Sequence, residues 1–355
     1  MPEKLEVAVA GLGIGKRHIH AYQNLADQFE VVAICDIDKA KAQEVATEYK
    51  IPHVITDLTE LCRMDEVDVI DICTPSYLHA PQVLQVLEAG KYAVCEKPLA
   101  DSLATADKLA EAETRTGRRV MPIFNYRFGH GVQKLRHLMA EGLTGRAYLS
   151  TVETAWRRRA AYYATSWRGK WKTGLGGVLV THAIHAHDLL FYIVGPAKSV
   201  FARTATLVNP VEVEDCASIS LEMADGSLAS LSVTLGSSVE ISRHRYCFGN
   251  LVAESNTEPY SSNTSDPWQF NGDTPELTAR IEESLARFVL QPEGFEGQFL
   301  RFYRALQQGT ELPVTLADVR RSLELITAVY HSAEMGQPVE LPIGRDHPKY
   351  AGWLP

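Results

Sequence analysis

The sequence predicts two domains, an α/β domain with a parallel, doubly wound sheet over residues 1–124 and an α+β domain with a large, mostly antiparallel open sheet over residues 125–355. A chain of 355 residues is too long for one ordinary hydrophobic core, which favours two domains. Its first third alternates short apolar runs with amphipathic segments, whereas the second half contains long segments of period two.

Each apolar run of the first domain has the length of a strand. The segments between the runs have a helical period, as in "DKAKAQEVATEYK" (38–50) and "DSLATADKLAEAETRTG" (101–117). Such alternation predicts a parallel sheet covered by helices on both faces. The five predicted strands are 5–10, 30–35, 67–72, 92–96 and 119–124.

The second domain is predicted to start with a linking helix and a strand and to close with two amphipathic helices. A glycine turn opens an apolar helix in between, and three period-two segments follow, with a turn at Asp225-Gly226. This pattern predicts an antiparallel sheet with one face free to pack on another surface. The linking helix is 129–141, the strand 146–155, the period-two segments 199–208, 216–237 and 239–249, and the closing helices 293–309 and 315–335.

The composition excludes several classes of protein. A net charge of -9 argues against nucleic acid or an anionic membrane as the main partner, and the sequence has no apolar run of roughly 18 to 20 residues. A strand pattern from about residue 5 leaves no room for a signal peptide. The cysteines form no C-x-x-C pair, so we expect buried thiols and a cytoplasmic location. They are Cys35, Cys62, Cys73, Cys95, Cys216 and Cys247.

The first predicted strand leads into the glycine-rich stretch "GLGIGKRHIH" (11–20). Gly11 and Gly13 suit the tight turn and close backbone approach that place a pyrophosphate at the N-terminus of the following helix. The third glycine of a G-x-G-x-x-G motif would fall at Lys16, whereas Gly15 comes one residue early. The loop alone is therefore a weak indication of dinucleotide binding.

An acidic residue, Asp36, stands at the end of the second predicted strand. A carboxylate at this point of a dinucleotide-binding unit accepts hydrogen bonds from the adenosine ribose hydroxyls and repels a 2′-phosphate. This favours NAD over NADP as the cofactor. The alternative is that Asp36 caps the next helix, for which Asp38 is the better candidate.

Two further strands end in polar turns, at Thr74–Ser76 and at Glu96-Lys97-Pro98. Ligands of open α/β sheets bind at the carboxyl edge of the strands, so Lys97 is a candidate to contact a substrate beside the nicotinamide. A solvated surface ion pair between Glu96 and Lys97 is the alternative interpretation.

The apolar helix of the second domain carries His182, His185, His187 and Asp188. Histidine is the side chain best suited to transfer a proton near neutral pH, and His185 shares a helix face with His182 and Asp188. Buried histidines also occur for structural reasons alone. His187 points away from His185, and we therefore expect no metal site here.

Taken in order, several segments resemble the Gfo/Idh/MocA family, which includes glucose-fructose oxidoreductase and inositol dehydrogenase. The resemblance covers essentially the whole chain and is more specific than any single motif. The matching segments are "GLGIGKRH" (11–18), Asp36, "TPSYLHAPQVLQVLEAGKYAVCEKPLA" (74–100), "NYRFGHGVQKLRHLMAEGLTGR" (125–146), "GGVLVTHAIHAHDLL" (176–190) and "PVTLADVRRSLELITAVYHSAEMGQPVELPI" (313–343).

The resemblance implies a Rossmann domain followed by a domain whose open sheet packs on another subunit, giving a homodimer or homotetramer. It also implies an NAD(P)-dependent oxidoreductase acting on a secondary CH-OH group of a sugar, sugar derivative or cyclitol, in either direction. Lys97 matches the lysine that hydrogen-bonds the reacting hydroxyl, and His185 matches the catalytic histidine. In this family the bond corresponding to Lys97-Pro98 is often cis.

The sequence departs from the family pattern at two points. The family has an acid four residues before the histidine, where this chain has Thr181, and the glycine loop is one residue shorter than the common form. Asp188 is our candidate to take over as supporting acid or as substrate ligand.

The chemistry of the residues and the resemblance together predict sets of contact residues. The basic aromatic loop 156–172 is predicted to contact substrate, although it could instead be a subunit contact or a solvated loop. Predicted NAD contacts are Gly11, Gly13, Ile14, Gly15, Asp36, Ile37, Thr74, Pro75, Ser76, His79, Glu96, Lys97 and Asn125. Predicted substrate contacts are Lys97, Tyr126, Arg127, Arg158, Tyr163, Trp167, Arg168, Thr181, His182, His185 and Asp188.

Two other functions remain open on the sequence. Some relatives oxidise a sugar only transiently, which would make the protein an NAD-dependent glycoside hydrolase or lyase. A non-catalytic NAD-binding regulator is less favoured, because such proteins tend to lose the lysine or the histidine that this chain retains.

Overall fold

The computed structural model describes residues 3–354, and the chain forms two compact units. The first comprises the chain up to Phe124 together with Phe295–Arg320. The second comprises Asn125–Gly294 and the chain from Arg321 onward.

The strands and helices have the following bounds. The strands are β1 Leu5–Ala10, β2 Phe29–Cys35, β3 His53–Ile55, β4 Val69–Ile72, β5 Tyr92–Cys95, β6 Val120–Pro122, β7 Ala147–Arg157, β8 Ala197–Ala205, β9 Cys216–Met223, β10 Leu228–Thr234, β11 Gly236–Phe248, β12 Leu251–Glu254, β13 Gln269–Gly272 and β14 Val339–Glu340. The helices are α1 Gly15–Asn24, α2 Lys39–Tyr49, α3 Leu58–Cys62, α4 His79–Glu88, α5 Leu103–Thr116, α6 His130–Ala140, α7 Ala160–Tyr163, α8 Trp171–Gly174, α9 Val178–Thr181, α10 Ile184–Val194, α11 Pro275–Ala286, α12 Gly294–Gln308 and α13 Leu316–Met335.

The first unit contains a parallel sheet of six strands in the order β3-β2-β1-β4-β5-β6. The order reverses between β1 and β4, which places the turns after these two strands at the switch point where α/β sheets bind ligands. This confirms the predicted doubly wound fold. Strand β3 was not predicted, because its three residues form no apolar run and are half-buried or exposed.

Helix α12 was predicted to belong to the second domain, but it lies in the first unit. Its apolar face explains the difference. The Phe299 ring stacks on the Tyr22 ring at 4.1 Å between centroids, and Gln298 Nε2 donates to the Pro122 carbonyl at 2.7 Å. The amphipathic pattern of 293–309 predicted a helix but could not say which core it covers.

The second unit contains a sheet of eight strands in the order β13-β12-β11-β7-β10-β9-β8-β14. Only β7 and β10 pair in parallel, so the sheet is mostly antiparallel, as predicted. The predicted turn joins β9 to β10, with Gly226 at φ +83° and Ser227 N donating to Asp225 Oδ1 at 2.9 Å.

Within residues 3–354, no single helix is both long and apolar enough to cross a membrane. One pair bent by 47°, Trp171–Thr181 with Ile184–Val194, meets the length and composition criteria together. All six cysteines are free thiols; Cys216 and Cys247 are half-buried, and the other four are buried.

Candidate active site

The glycine loop joins β1 to α1 in the first unit. Gly11 has φ +93°, and a Cβ there would lie 2.5 Å from the Cys73 carbonyl oxygen, so this position requires glycine. A Cβ at Gly15 would meet Val9 Cγ1 at 3.0 Å, whereas a Cβ at Gly13 would face open space. Close packing of the helix on the sheet therefore falls to Gly15, and the backbone at Gly13 is open to a ligand.

Helix α1 begins directly after this loop. Among the described residues no side chain caps its first turn, and that turn contains no acidic residue. The backbone N–H groups at a helix start carry partial positive charge and favour an anion. Loop and helix together therefore fit a pyrophosphate group.

The Asp36 carboxylate follows β2 and is mostly buried. Its Oδ2 accepts hydrogen bonds from Leu12 N at 3.0 Å and Lys41 Nζ at 2.9 Å, and Oδ1 accepts one from Asp38 N. Burial acts to raise the pKa of Asp36, but these hydrogen bonds outweigh it and lower the pKa, so the group is ionised at neutral pH. Asp38 caps α2 through Lys41 N, as the sequence predicted.

The turn after β4 carries Thr74, Pro75 and Ser76. Thr74 Oγ1 donates to Gln82, and the buried His79 lies between two carbonyls. Its Nδ1 is 2.7 Å from Pro98 O and its Nε2 is 2.8 Å from Thr74 O. His79 therefore ties the turn after β4 to the segment after β5.

Lys97 stands at the end of β5 and is half-buried. The Lys97-Pro98 peptide bond is cis, which confirms the expectation from the family resemblance. The preceding Glu96 is buried, and its Oε2 accepts a hydrogen bond from Lys97 N at 3.1 Å. A buried glutamate differs from the exposed surface ion pair that was the alternative interpretation.

In the second unit, His185 lies in the first turn of α10 and is buried. The Tyr126 ring stacks on the imidazole, with centroids 4.3 Å apart and planes 8° apart. Tyr126 belongs to a short 3₁₀ turn, Asn125–Phe128, whose Asn125 is buried. The stacking fixes the orientation of the His185 ring.

Arg127 and Asp188 form a buried, bidentate ion pair. Arg127 Nε donates to Asp188 Oδ2 at 2.7 Å, and Nη2 donates to Oδ1. The Arg127 guanidinium also lies 4.8 Å from the centroid of the Tyr192 ring. Of the two roles that the sequence left open for Asp188, the supporting role fits this geometry better than direct contact with substrate.

The Thr181 side chain is directed to His182. Thr181 Oγ1 lies 2.7 Å from His182 Nδ1 and donates to Gly177 O at 2.6 Å, and Arg158 Nε donates to His182 Nε2 at 3.2 Å. These contacts form one consistent chain when the imidazole carries its proton on Nδ1. Arg158 also forms an ion pair with Glu240 at 3.0 Å.

Residues of the basic aromatic loop surround a small cavity beside Thr181. Its lining includes Tyr163, Arg168 and Tyr162. The Arg168 guanidinium stacks on Tyr162 and on Trp167, 4.2 Å and 5.2 Å from their ring centroids. Burial raises the pKa of Tyr163 to about 12, so its hydroxyl stays protonated and can donate. The structure thus brings together three of the predicted substrate contacts of this unit, Tyr163, Arg168 and Thr181.

His187 lies in the core of the second unit and is buried. Burial, reinforced by His244, lowers the pKa of His187 to about 3, so this ring is neutral. It has the structural role that the sequence left open for the histidines of this helix.

Two family models match the chain. The oxidoreductase family with an NAD-binding Rossmann fold matches residues 5–124, and the GFO/IDH/MocA C-terminal domain matches residues 132–246. The chain belongs to the GFO/IDH/MocA oxidoreductase family. The predicted family, fold class and enzyme class are confirmed, and the prediction of NAD as the cofactor is confirmed at the level of this NAD-binding family.

Relatives of this family member include dehydrogenases with different substrates. It is 28% identical to the D-glucoside 3-dehydrogenase of Escherichia coli, covering 95% of this chain and 97% of the relative. It is 30% identical to the 4-carboxy-2-hydroxymuconate-6-semialdehyde dehydrogenase of a Sphingobium species, covering 65% and 72%. The WlbA dehydrogenase of Bordetella pertussis, solved with NADH and UDP-GlcNAcA, is 27% identical with a TM-score of 0.84, covering 96% and 100%.

Sequence reasoning missed two residues next to the GFO/IDH/MocA lysine motif. His18 on α1 and Asp71 on β4 are fully buried and lie within hydrogen-bond distance of each other. The signal for Asp71 was an acid inside an otherwise apolar strand, "VIDI" (69–72). A buried carboxylate requires a partner, and the histidine of "GKRH" supplies it.

Proposed function

We propose that this protein oxidises a secondary alcohol of a sugar, sugar derivative or cyclitol with NAD, or catalyses the reverse reduction. The observation that carries the proposal is Lys97 at the carboxyl edge of the NAD-binding sheet, half-buried and hydrogen-bonded through its backbone to a buried glutamate. Two relatives support the sugar class, since one is named a D-glucoside 3-dehydrogenase and another was solved with UDP-GlcNAcA.

Bound NAD supplies the acceptor for the hydride that leaves the substrate carbon. The His185 imidazole accepts the proton of the hydroxyl on that carbon, and the Lys97 ammonium stabilises the negative charge that develops on the oxygen. The alcohol thereby loses one hydride and one proton and becomes a ketone. Tyr126 keeps the His185 ring in one orientation, so the proton acceptor is preorganised.

The NAD contacts in this proposal are those predicted from the sequence. Three features support them: the open backbone at Gly13, the ionised Asp36, and Ile37, an apolar side chain that is 94% exposed beside Asp36. An exposed apolar side chain at this point suits the flat face of an adenine ring.

The substrate contacts are proposed for the residues around the cavity beside Thr181. Arg168 and Tyr163 can donate hydrogen bonds to hydroxyl or carboxylate oxygens, and Trp167 offers an aromatic face. Arg158 is already engaged by Glu240 and His182, so we assign it to holding His182 rather than to direct contact with substrate.

NADH formation tests the proposal directly. The purified protein is assayed with NAD+ and NADP+ against methyl glucosides, levoglucosan, myo-inositol and UDP-GlcNAcA, and we expect at least one to be oxidised with NAD+. Lys97→Ala and His185→Ala are expected to lower kcat by roughly a hundredfold or more while NAD affinity changes little. Lys108→Ala and His20→Ala, which alter exposed residues, serve as controls.

Near-normal turnover in both Lys97→Ala and His185→Ala would refute the mechanism. Glucose release from a methyl glucoside without net NADH formation would point instead to transient oxidation by a hydrolase or lyase.

We propose further that the protein is a homodimer or homotetramer formed through the sheet of the second unit. Leu149 on β7 and Leu228 on β10 are register partners and are both exposed, at 44% and 55%. Phe201 on β8 is 39% exposed. Apolar side chains on an open sheet face favour burial against another surface. Leu228→Glu is expected to lower the mass measured by light scattering, whereas Val289→Glu, at an exposed loop residue, should leave it unchanged.

A further inference from the structure

A fully buried histidine of the first unit, His18, lies between two carboxylates. His18 Nδ1 is 2.8 Å from Asp71 Oδ2, and Nε2 is 3.2 Å from Glu96 Oε1. Both acids are buried as well. Neither His18 nor Asp71 belongs to the NAD or substrate contacts proposed above.

This geometry suits a protonated ring. An imidazolium has two N–H groups, so it can donate to both carboxylates at once, whereas a neutral imidazole can donate to only one of them. Burial acts to lower the pKa of His18, but the Asp71 carboxylate outweighs it and raises the pKa well above its usual value. Asp71, Cys73 and Glu96 are the titratable groups whose side chains contact the ring nitrogens, and Tyr22 lies beside Asp71.

Aromatic rings seal the cluster from water. The Phe295 ring lies 4.3 Å from the His18 ring between centroids, and the Phe299 ring lies 5.4 Å away. In a site shielded from water, an attraction between opposite charges is stronger than at the surface. The positions of the Glu96 and Asp71 carboxylates are therefore fixed by a charge that is itself immobile.

The second oxygen of Glu96 connects this cluster to Lys97. Glu96 Oε2 accepts a hydrogen bond from Lys97 N at 3.1 Å. On the other side of Lys97, the Pro98 carbonyl lies 2.7 Å from His79 Nδ1. The backbone of Lys97 is thus held from both ends by buried side chains.

A metal site is the competing interpretation, since donor atoms of His18, Asp71 and Cys73 all lie within 4.8 Å of one another. The observations favour hydrogen bonding. The 2.8 Å separation of His18 Nδ1 and Asp71 Oδ2 is that of a direct hydrogen bond, and the other ring nitrogen already faces Glu96.

We propose that His18 is a positioning residue whose protonated ring holds Glu96, and through Glu96 the backbone of Lys97, in place. That the residue so positioned is catalytic rests on the proposed function. The contacts that define the chain from Asp71 through His18 and Glu96 to Lys97 lie within the first unit.

The position of Lys97 can be probed without a substrate. Reductive methylation with formaldehyde and a borane reductant is followed by peptide mass spectrometry, and the rate at Lys97 is divided by the rate at the exposed Lys108 of the same digest. We expect this ratio to rise severalfold in His18→Gln and in Glu96→Gln. The control His20→Gln makes the same change at an exposed residue of α1 and should leave the ratio unchanged.

The double variant His18→Gln/Glu96→Gln should raise the ratio no further than either single variant, because both act on Lys97 through one chain of contacts. Unfolding alone would raise the ratio, because it exposes the half-buried Lys97 while Lys108 is already exposed. Circular dichroism therefore has to show that each variant is folded, and Glu96→Gln provides the same test if His18→Gln does not fold. An unchanged ratio in the folded variants, or additive effects in the double variant, would overturn the proposal. One equivalent of zinc in the purified protein that is lost in His18→Gln would also overturn it.

Measurements of kcat distinguish a failure of the positioning role of His18 from a failure of the proposed function. With a substrate found in the NADH assay, we expect His18→Gln to lower kcat by roughly ten- to a hundredfold, with NAD affinity little changed. When Lys97 is already replaced by alanine, adding His18→Gln should not lower kcat further. If Lys97→Ala and His185→Ala both retain near-normal turnover while the methylation ratio still rises, the proposed mechanism fails and the positioning role stands. If Lys97→Ala is inactive but the methylation ratio is unchanged in His18→Gln and Glu96→Gln, the proposed function stands and the positioning role of His18 fails.

Discussion

Arg127 and Asp188 form a bidentate ion pair in which Arg127 Nε lies 2.7 Å from Asp188 Oδ2, with 5% and 1% of the two side chains exposed. Removal of one partner leaves the other charge buried and uncompensated. Because Asp188 lies one helical turn after His185, the pair also anchors the start of α10, which carries the proposed proton acceptor.

We expect Asp188→Asn and Arg127→Met each to lower the free energy of unfolding of the second unit by about 3–5 kcal/mol, as measured by urea denaturation. The double variant Arg127→Met/Asp188→Leu should recover most of this loss, because it leaves no unpaired charge. Lys198→Ala, which breaks an exposed ion pair with Glu222 in the same unit, is the control and should change little. An equal loss of unfolding free energy at the buried Arg127–Asp188 pair and at the exposed Lys198–Glu222 pair would contradict this prediction.

Asp36 is expected to set the preference for NAD. In Asp36→Ser the carboxylate that repels a 2′-phosphate is gone and Lys41 is released from its 2.9 Å contact. The ratio of the Kd for NADPH to the Kd for NADH, measured by fluorescence titration, should fall by about tenfold or more, which corresponds to about 1.4 kcal/mol. Asp38→Ser alters the helix cap two residues away and should leave the ratio unchanged. An unchanged ratio in Asp36→Ser would exclude this role.

Acid should destabilise the second unit through His187 and His244. Burial lowers the pKa of His187 to about 3 and that of His244 to about 4, below the ordinary value of 6.5. Their contribution to stability is therefore fully present above pH 6.5 and is lost as the pH falls toward 4, because the unfolded chain binds protons that the folded protein excludes. Each histidine contributes a slope of up to about 1.4 kcal/mol per pH unit.

Replacement of His187 tests this expectation. Neither ring nitrogen of His187 has a hydrogen-bond partner among the described residues, so His187→Leu removes a buried polar group without orphaning another. Its urea midpoint should depend less on pH between 4.5 and 6.5 than that of the wild type. The exposed His20→Leu provides the comparison. Parallel pH profiles for wild type and His187→Leu would contradict the assignment.

The hydroxyl of Thr181 is expected to orient His182. Thr181→Val keeps the shape but leaves His182 Nδ1 without the oxygen at 2.7 Å, so the free energy of unfolding should fall by about 1–3 kcal/mol. Thr181→Ser retains the hydroxyl and should stay close to wild type. If Thr181→Val and Thr181→Ser have the same free energy of unfolding, the hydrogen bonds that link Arg158, His182 and Gly177 do not depend on this hydroxyl.

The sequence determined which residue types stand at the ends of the strands. Alternation of apolar runs and amphipathic segments predicted the parallel sheet, and local spacing predicted that Asp36, Thr74 and Lys97 follow strands of that sheet. These inferences succeed because backbone periodicity and turn chemistry are local properties. The cis bond before Pro98 was expected from the family motif alone.

Only the tertiary structure decided which partners these residues take. Helix α12 had the pattern of any amphipathic helix, and its place in the first unit depends on Phe299 meeting Tyr22 from a distant part of the chain. Asp188 had two open roles until Arg127 was found beside it, and Thr181 was compared with an acid serving His185 although its hydroxyl contacts His182. Glu96 could be an exposed ion-pair partner until burial placed it against His18. Such pairings depend on burial and on contacts between residues far apart in sequence, neither of which leaves a periodic signal in the chain.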